Sequence, residues 1–205
     1  MSAIELSSYI GLAALTLLSL NICLGLLIST RYNTVKRWPR KRFNTLKWHS
    51  RTGYTALAVA VAHPVTLLAS TTAKFHLIDI VYPLNAPKQP LINTVGALAL
   101  YALVIVVATS YFRLELGRKA WKRIHYTGYA MAALMFVHAL LTDPNLKDAP
   151  FDPLDAEKLY VEALLLLVLV AIGLRVRYAV RHRGGATPKG SAAAAPDPAA
   201  ATDLT

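Results

Sequence analysis

The sequence predicts an all-α fold: an integral membrane helical bundle with about five transmembrane helices. Three observations lead there. Of 205 residues, 55% are hydrophobic and the mean hydropathy is +0.42, too apolar for an ordinary soluble domain and suited to one small helical membrane domain. Apolar runs long enough to cross about 30 Å of hydrocarbon recur along the chain. The basic residues fall in alternate connectors between those runs.

The first predicted helix covers residues 9–29, and Asn21 and Gly25 mark where it is expected to be interrupted or closely packed. It reads as a retained helix, because a signal peptide would begin with basic residues and end at a small-residue cleavage site. The second runs over about 46–70 and holds His49, His63 and Pro64, a proline tolerated where neighbours satisfy the freed carbonyl. The third covers 91–112, the fourth about 121–142 with His125 and His138, and the fifth 159–178. Residues 1–183 are therefore read as one transmembrane domain. Residues 184–205, rich in Ala, Pro and Gly, cannot bury enough surface to order themselves and are expected to form a disordered cytoplasmic tail.

Charge placement predicts the orientation. Residues 31–51 carry eight Lys or Arg and no acid, and residues 113–123 carry five with one acid. The connectors 73–90 and 143–158 hold two lysines each, the second among five acids. If all five segments span, 18 of the 22 Lys and Arg lie on one side, which places the N-terminus out and the C-terminus in. Trp38, Phe43 and Trp48 interleave with the basic run, a mixture that also occurs in nucleic-acid binders. Beside membrane helices it marks a cytoplasmic loop at the lipid interface. The net charge of +11 thus reports orientation in a lipid bilayer, a bacterial inner membrane by expectation, and nucleic acid is no expected partner. Cys23 stands alone, so there is no disulfide framework and no Cys-x-x-Cys-His site for covalent haem.

The stretch Trp48-His49-Ser50-Arg51-Thr52-Gly53-Tyr54, followed by an apolar run and His63, recurs imperfectly as Arg123-Ile124-His125-Tyr126-Thr127-Gly128-Tyr129 with His138. Imidazole is costly in hydrocarbon and needs a partner or a ligand there. Both helices run in the same direction under the predicted topology. Spacings of 14 and 13 residues are rises of about 21 and 19.5 Å, so His49 matches His125 in depth and His63 matches His138. Neutral imidazole is a usual axial ligand of haem iron, and two matched pairs fit two haems stacked across the bilayer. A proton relay or an interhelical hydrogen bond is the weaker reading, since carboxylates are nearly absent from the predicted interior and Glu162 lies near its outer end. The phase is uneven: 14 residues fall about 40° short of four turns, but 13 fall about 140° short. Aligning the repeats on Thr-Gly-Tyr puts the missing residue between His125 and Gly128, which predicts either irregular backbone there or a His125 that reaches its iron from a different angle.

Gly53 and Gly128 lie near the faces of His49 and His125, where a missing side chain would admit a macrocycle or, equally, a neighbouring helix. Ala56, Ala60, Ala132 and Ala133 are read as packing residues. Lys47, Arg51, Lys122 and Arg123 cluster at the inner level as cations for haem carboxylates, though orientation and lipid contact account for any single one more readily. At the outer level the candidates are Lys74, His76, Lys88 and Lys147; His76 reads as a loop histidine, and His182 has no partner.

These residues resemble the ferric reductase-like transmembrane domain, the membrane part of ferric reductases and NADPH oxidases and the haem-binding subunit of methionine sulfoxide reductase. The likeness covers approximately residues 46–142, in the histidine spacings and in Trp121-Lys122-Arg123-Ile124-His125-Tyr126-Thr127-Gly128-Tyr129. The resemblance implies two b-type haems, an inner one held by His49 and His125 and an outer one held by His63 and His138. It implies electron transfer across the bilayer to an outer acceptor: ferric iron, oxygen or a periplasmic redox partner. The short tail leaves no room for flavin and nicotinamide domains, so a separate flavoprotein or quinol electron donor is expected, and no catalytic residue is assigned. Two other classes stay open. One is a quinol-oxidising cytochrome b anchor of a dehydrogenase, which a quinone analogue would perturb; the other is a non-haem scaffold or transporter, which would lack the haem spectrum.

Overall fold

The computed structural model describes residues 2–30, 44–143, 146 and 154–183. The connector 31–43, Lys147 and the tail 184–205, with the expectations placed on them, lie outside these residues. Helix α1 (Ala3–Ser29) begins six residues before the apolar run because Ser2 and Glu5 form a capping box. The Glu5 amide donates to Ser2 Oγ at 3.1 Å and the Ser2 amide to Glu5 Oε2 at 2.8 Å, which satisfies donors the helix start leaves free. The helix is uninterrupted at Asn21 and Gly25. Helix α2 (Thr45–Leu67) starts at the Asn44 cap and passes through Pro64. Beside the proline, the His63 carbonyl accepts from the hydroxyls of Ser7 and Thr66.

The connector after α2 is more ordered than a loop. It contains the short helix α3 (Leu77–Val81) and a 3-10 turn Pro83–Asn85, tied down where the Tyr101 hydroxyl donates to the Val81 carbonyl. His76 is the exposed residue before α3, its backbone amide bonded to Asp79 Oδ2, as expected of a loop histidine. Helix α4 (Pro90–Tyr111) matches the third predicted helix. The basic connector after it is helical too, as α5 (Arg113–Leu116) and α6 (Arg118–Tyr126), separated by Gly117 at φ 74°. Helix α7 (Gly128–Leu141) follows after a single residue, Thr127. The Thr127 amide bonds back three residues to Ile124 at 2.9 Å, so the backbone tightens between His125 and Gly128, where the missing residue had predicted it. Helix α8 (Ala156–Arg183) closes the bundle, longer at both ends than its apolar run.

Among the described residues four helices are long and apolar enough to cross a membrane: α1, α4, the combined α6–α7 and α8. The count of about five includes α2, whose Lys47, His49, Arg51 and His63 dilute its apolarity. It nevertheless runs antiparallel beside α1, with His49 against Gly25 and His63 against Gly11. Arg175 of α8 reaches Ser29 at the end of α1, and Glu157 at the start of α8 accepts from Ser8. The start of α2 and the end of α8 therefore share one end of the bundle, joined there by α6, whose His125 lies beside His49, and each carries basic residues.

The middle of the bundle is a plug of Leu18, Ala56, Leu103 and Met131, one residue from each of α1, α2, α4 and α7. Ala56 has no exposed surface, Ala60 packs beside it and Ala132 is buried, whereas Ala133 is exposed. A second cluster of Leu15, Phe136, Val161 and Val168 fastens α8 to α1 and α7. Within a bilayer such packing, more than apolar burial, holds helices together. Leu103→Ala should therefore lower stability by about 2–4 kcal/mol through the cavity it leaves. Leu166→Ala, at a position 62% exposed, should change it little. Reversible unfolding in detergent micelles measures both.

Candidate functional site: two histidine pairs at two levels

The four membrane histidines meet in pairs. The rings of His49 and His125 have centroids 6.1 Å apart with planes at 75°, and those of His63 and His138 are 6.4 Å apart at 71°. The pairing expected from depth is thus the pairing by proximity. Leu18, Ala56, Leu103 and Met131 each sit midway in their helix between the two levels, so the plug separates them.

Each ring is fixed through Nδ1. His63 Nδ1 lies 2.8 Å from the Ser7 carbonyl, His49 Nδ1 3.1 Å from the Asn21 carbonyl, and His138 Nδ1 2.9 Å from the Ile92 carbonyl. A carbonyl only accepts, so these three nitrogens carry the proton. His125 Nδ1 lies 3.2 Å from Ser110 Oγ, whose own proton goes to the Val106 carbonyl at 2.6 Å; here too the ring donates. In all four rings the lone pair is then on Nε2. On α1 the clasp is reciprocal, since Ser7 Oγ donates to the His63 carbonyl and Asn21 Nδ2 to the His49 carbonyl.

Close approach of an imidazole to a helix backbone requires a missing side chain. A Cβ on Gly11 would stand 3.0 Å from the His63 ring, one on Gly25 3.3 Å from His49, and one on Gly96 2.7 Å from His138. Each glycine lies four residues after the carbonyl that takes the ring proton. The motif repeats at 14 residues along α1, Ser7 and Gly11 then Asn21 and Gly25, the same interval as His49 to His63. On α4 the corresponding positions are Ile92 and Gly96, then Val106 and Ser110. That spacing was the available signal for these residues, and inspection of the histidine-bearing helices alone misses it.

The other predicted site residues are placed differently. A Cβ on Gly53 would meet the Asn21 side chain at 3.3 Å, a contact between α2 and α1, and one on Gly128 would meet nothing within 4 Å. Lys47, Arg51, Lys122 and Arg123 are exposed at the basic end, with Lys122 Nζ 5.6 Å above the Tyr126 ring. A cavity opens beside the His63/His138 pair, bounded by Gly11, Gly96, Leu103 and Met131. Neither Lys74 nor Lys88 lines it. Lys158 does, buried and donating to the Ala139 and Thr142 carbonyls at the end of α7. Apolarity alone leaves it in the acidic connector, whereas α8 begins before it.

Among the described residues no three His, Cys, Asp or Glu gather around one point. The arrangement offers two imidazoles per level instead. A metal bonded to two imidazole nitrogens at about 2.0–2.1 Å from each sets the ring centres roughly 6.2–6.4 Å apart. The His63/His138 pair lies at the edge of that range and the His49/His125 pair just below it, and Nδ1 tied to a carbonyl or hydroxyl with Nε2 free is the usual state of a metal-binding histidine.

The glycine contacts generate a matched test. Gly96→Ala should displace His138 and cost about 1–3 kcal/mol through overpacking. Gly128→Ala should change stability by no more than about 1 kcal/mol. Thermal unfolding of the two variants in one detergent reads the difference.

Residues 10–136 match the family described as ferric reductase like transmembrane component. The match begins in α1, contains His49, His63 and His125, and ends in α7 two residues before His138. Comparison with curated proteins and with solved structures finds no match. The matched segment is more than half of the chain, and it holds α4, all of α1 but its first seven residues, and three of the four histidines. The chain belongs to the ferric reductase-like transmembrane component family, an integral membrane electron-transfer domain.

Proposed function

We propose that this chain is a membrane b-type cytochrome carrying electrons across the bilayer through two bis-histidine haems. The observation that carries this reading is the state of the four histidines: paired at 6.1 and 6.4 Å, with every Nδ1 proton already committed. His49 and His125 would hold the inner haem and His63 and His138 the outer one through Nε2. A bound haem supplies a one-electron iron couple at each level.

The chain's own residues supply the rest. The Nδ1 bonds hold each ring in one tautomer and orientation, which a ligand pair needs if it is not to be reordered at each electron transfer. Leu18, Ala56, Leu103 and Met131 keep water out of the space between the levels. Lys158 lines the outer cavity with a buried ammonium, a cation for haem carboxylates at the end that has few other basic residues. The basic end is the cytoplasmic face by the positive-inside pattern. There a flavoprotein or quinol donor would deliver electrons, and the opposite face would release them to ferric iron, oxygen or a periplasmic redox protein. A bacterial inner membrane fits that polarity.

The purified chain should contain two haems and show a reduced b-type absorption spectrum; absence of haem after expression with ample haem supply sinks the proposal. His63→Ala or His138→Ala should remove the outer haem first, and His49→Ala or His125→Ala the inner. Equal loss of both haems in all four variants would overturn the pairing. Lys158→Met should weaken retention of the outer haem severalfold while sparing the inner one, measured by haem content after repeated detergent washing.

A further inference from the structure

The repeat on α1 and α4 is broken at one position. Gly11, Gly25 and Gly96 let three imidazoles lie against a helix and donate to its carbonyls, but the fourth equivalent position is Ser110. We propose that Ser110 is a positioning residue that makes the His49/His125 level chemically unlike the His63/His138 level, by giving His125 a shared hydroxyl acceptor. The proposal rests on the di-haem reading above.

The geometry supports each part. A Cβ at the other three positions would stand 2.7 to 3.3 Å from a ring, so a residue with a Cβ at position 110 keeps His125 off the backbone. Ser110 Oγ takes the place between them. Its single proton goes to the Val106 carbonyl, the group that the repeat would otherwise present to His125. The Thr109 hydroxyl lies 3.3 Å from that carbonyl but gives its proton to the Ile105 carbonyl at 2.6 Å. Ser110 Oγ is left with two lone pairs and two donors, His125 Nδ1 at 3.2 Å and Trp121 Nε1 at 3.3 Å. The indole also lies beside the imidazole, tilted by 33° with ring centroids 5.2 Å apart. The tightened turn at Thr127 lies two residues after His125, so its helix meets α4 in altered register and reaches a side chain in place of a carbonyl.

The chemical consequence has a definite sign. A hydrogen bond from Nδ1 to a strong acceptor makes imidazole a better electron donor through Nε2. Three rings have a backbone carbonyl; His125 has a hydroxyl oxygen that an indole also uses. It is therefore the weakest donor of the four, stabilises ferric iron least, and raises the midpoint potential at its level.

Redox titration of the purified two-haem protein tests this, with the inner and outer signals assigned from the single histidine variants. Trp121→Phe removes the competing donor and should lower the inner potential while leaving the outer one in place. Ser110→Gly should lower it further as His125 gains the Val106 carbonyl. Ser110→Ala deprives His125 of its acceptor and should broaden or abolish the inner signal, and Ser110→Thr should restore it. Should Ser110→Ala fail to fold, Trp121→Phe and Ser110→Thr still decide. An inner potential unchanged in Trp121→Phe and Ser110→Gly, or equal movement of both potentials, overturns the role of Ser110. A wild-type protein without haem would instead overturn the di-haem reading.

Discussion

An imidazole N–H inside an apolar bundle must find an acceptor, and that requirement organises most of this structure. Helix carbonyls are the available acceptors, since each retains a lone pair beyond its helical bond. Reaching one brings a flat ring against the helix surface, where a Cβ would collide. Glycine at positions 11, 25 and 96 follows from that need, four residues beyond the carbonyl in each case. The polar residues Ser7 and Asn21 have the same origin, because each also binds the carbonyl of the histidine it orients. α1 thus serves as the mould for α2, and α4 as the mould for α6 and α7.

The two levels inherit their separation from the same constraint. Once the rings are seated at 14-residue intervals on antiparallel helices, the residues midway must face one another. Leu18, Ala56, Leu103 and Met131 do so and fill the centre. The one departure from regular spacing, 13 residues between His125 and His138, is absorbed by the turn at Thr127 and by a serine where a glycine would otherwise stand. The remaining helix, α8, brings no histidine to either level. It packs on α1 and α7 and contributes Lys158 at the cavity, so it closes a frame the other helices define.

Much of this was legible in the residue order. Apolar runs located the spans, because hydrocarbon tolerates little else along its thickness. Matching depths put His49 beside His125 and His63 beside His138, since rise per residue is nearly constant in a helix. What escaped was the partner surface. Gly53 and Gly128 drew attention by lying near histidines on the same helix, yet one faces Asn21 and the other faces open space. Lys158 escaped for another reason, because apolarity alone starts the last helix one residue after it and leaves the lysine in a connector. Helix ends are set by caps and tertiary contacts as much as by hydropathy.

The sequence by itself determined the membrane bundle, the two histidine levels and the position of the irregular turn. Each depends on periodicity within a single helix or on composition, quantities that local chain geometry converts into distance. Only the tertiary structure decided which carbonyls receive the ring protons, which glycines make room, and which level carries the hydroxyl exception. Those depend on the rotation and register of one helix against another. The 14-residue repeat on α1 carries that register, but it acquires meaning only once α2 lies antiparallel beside it.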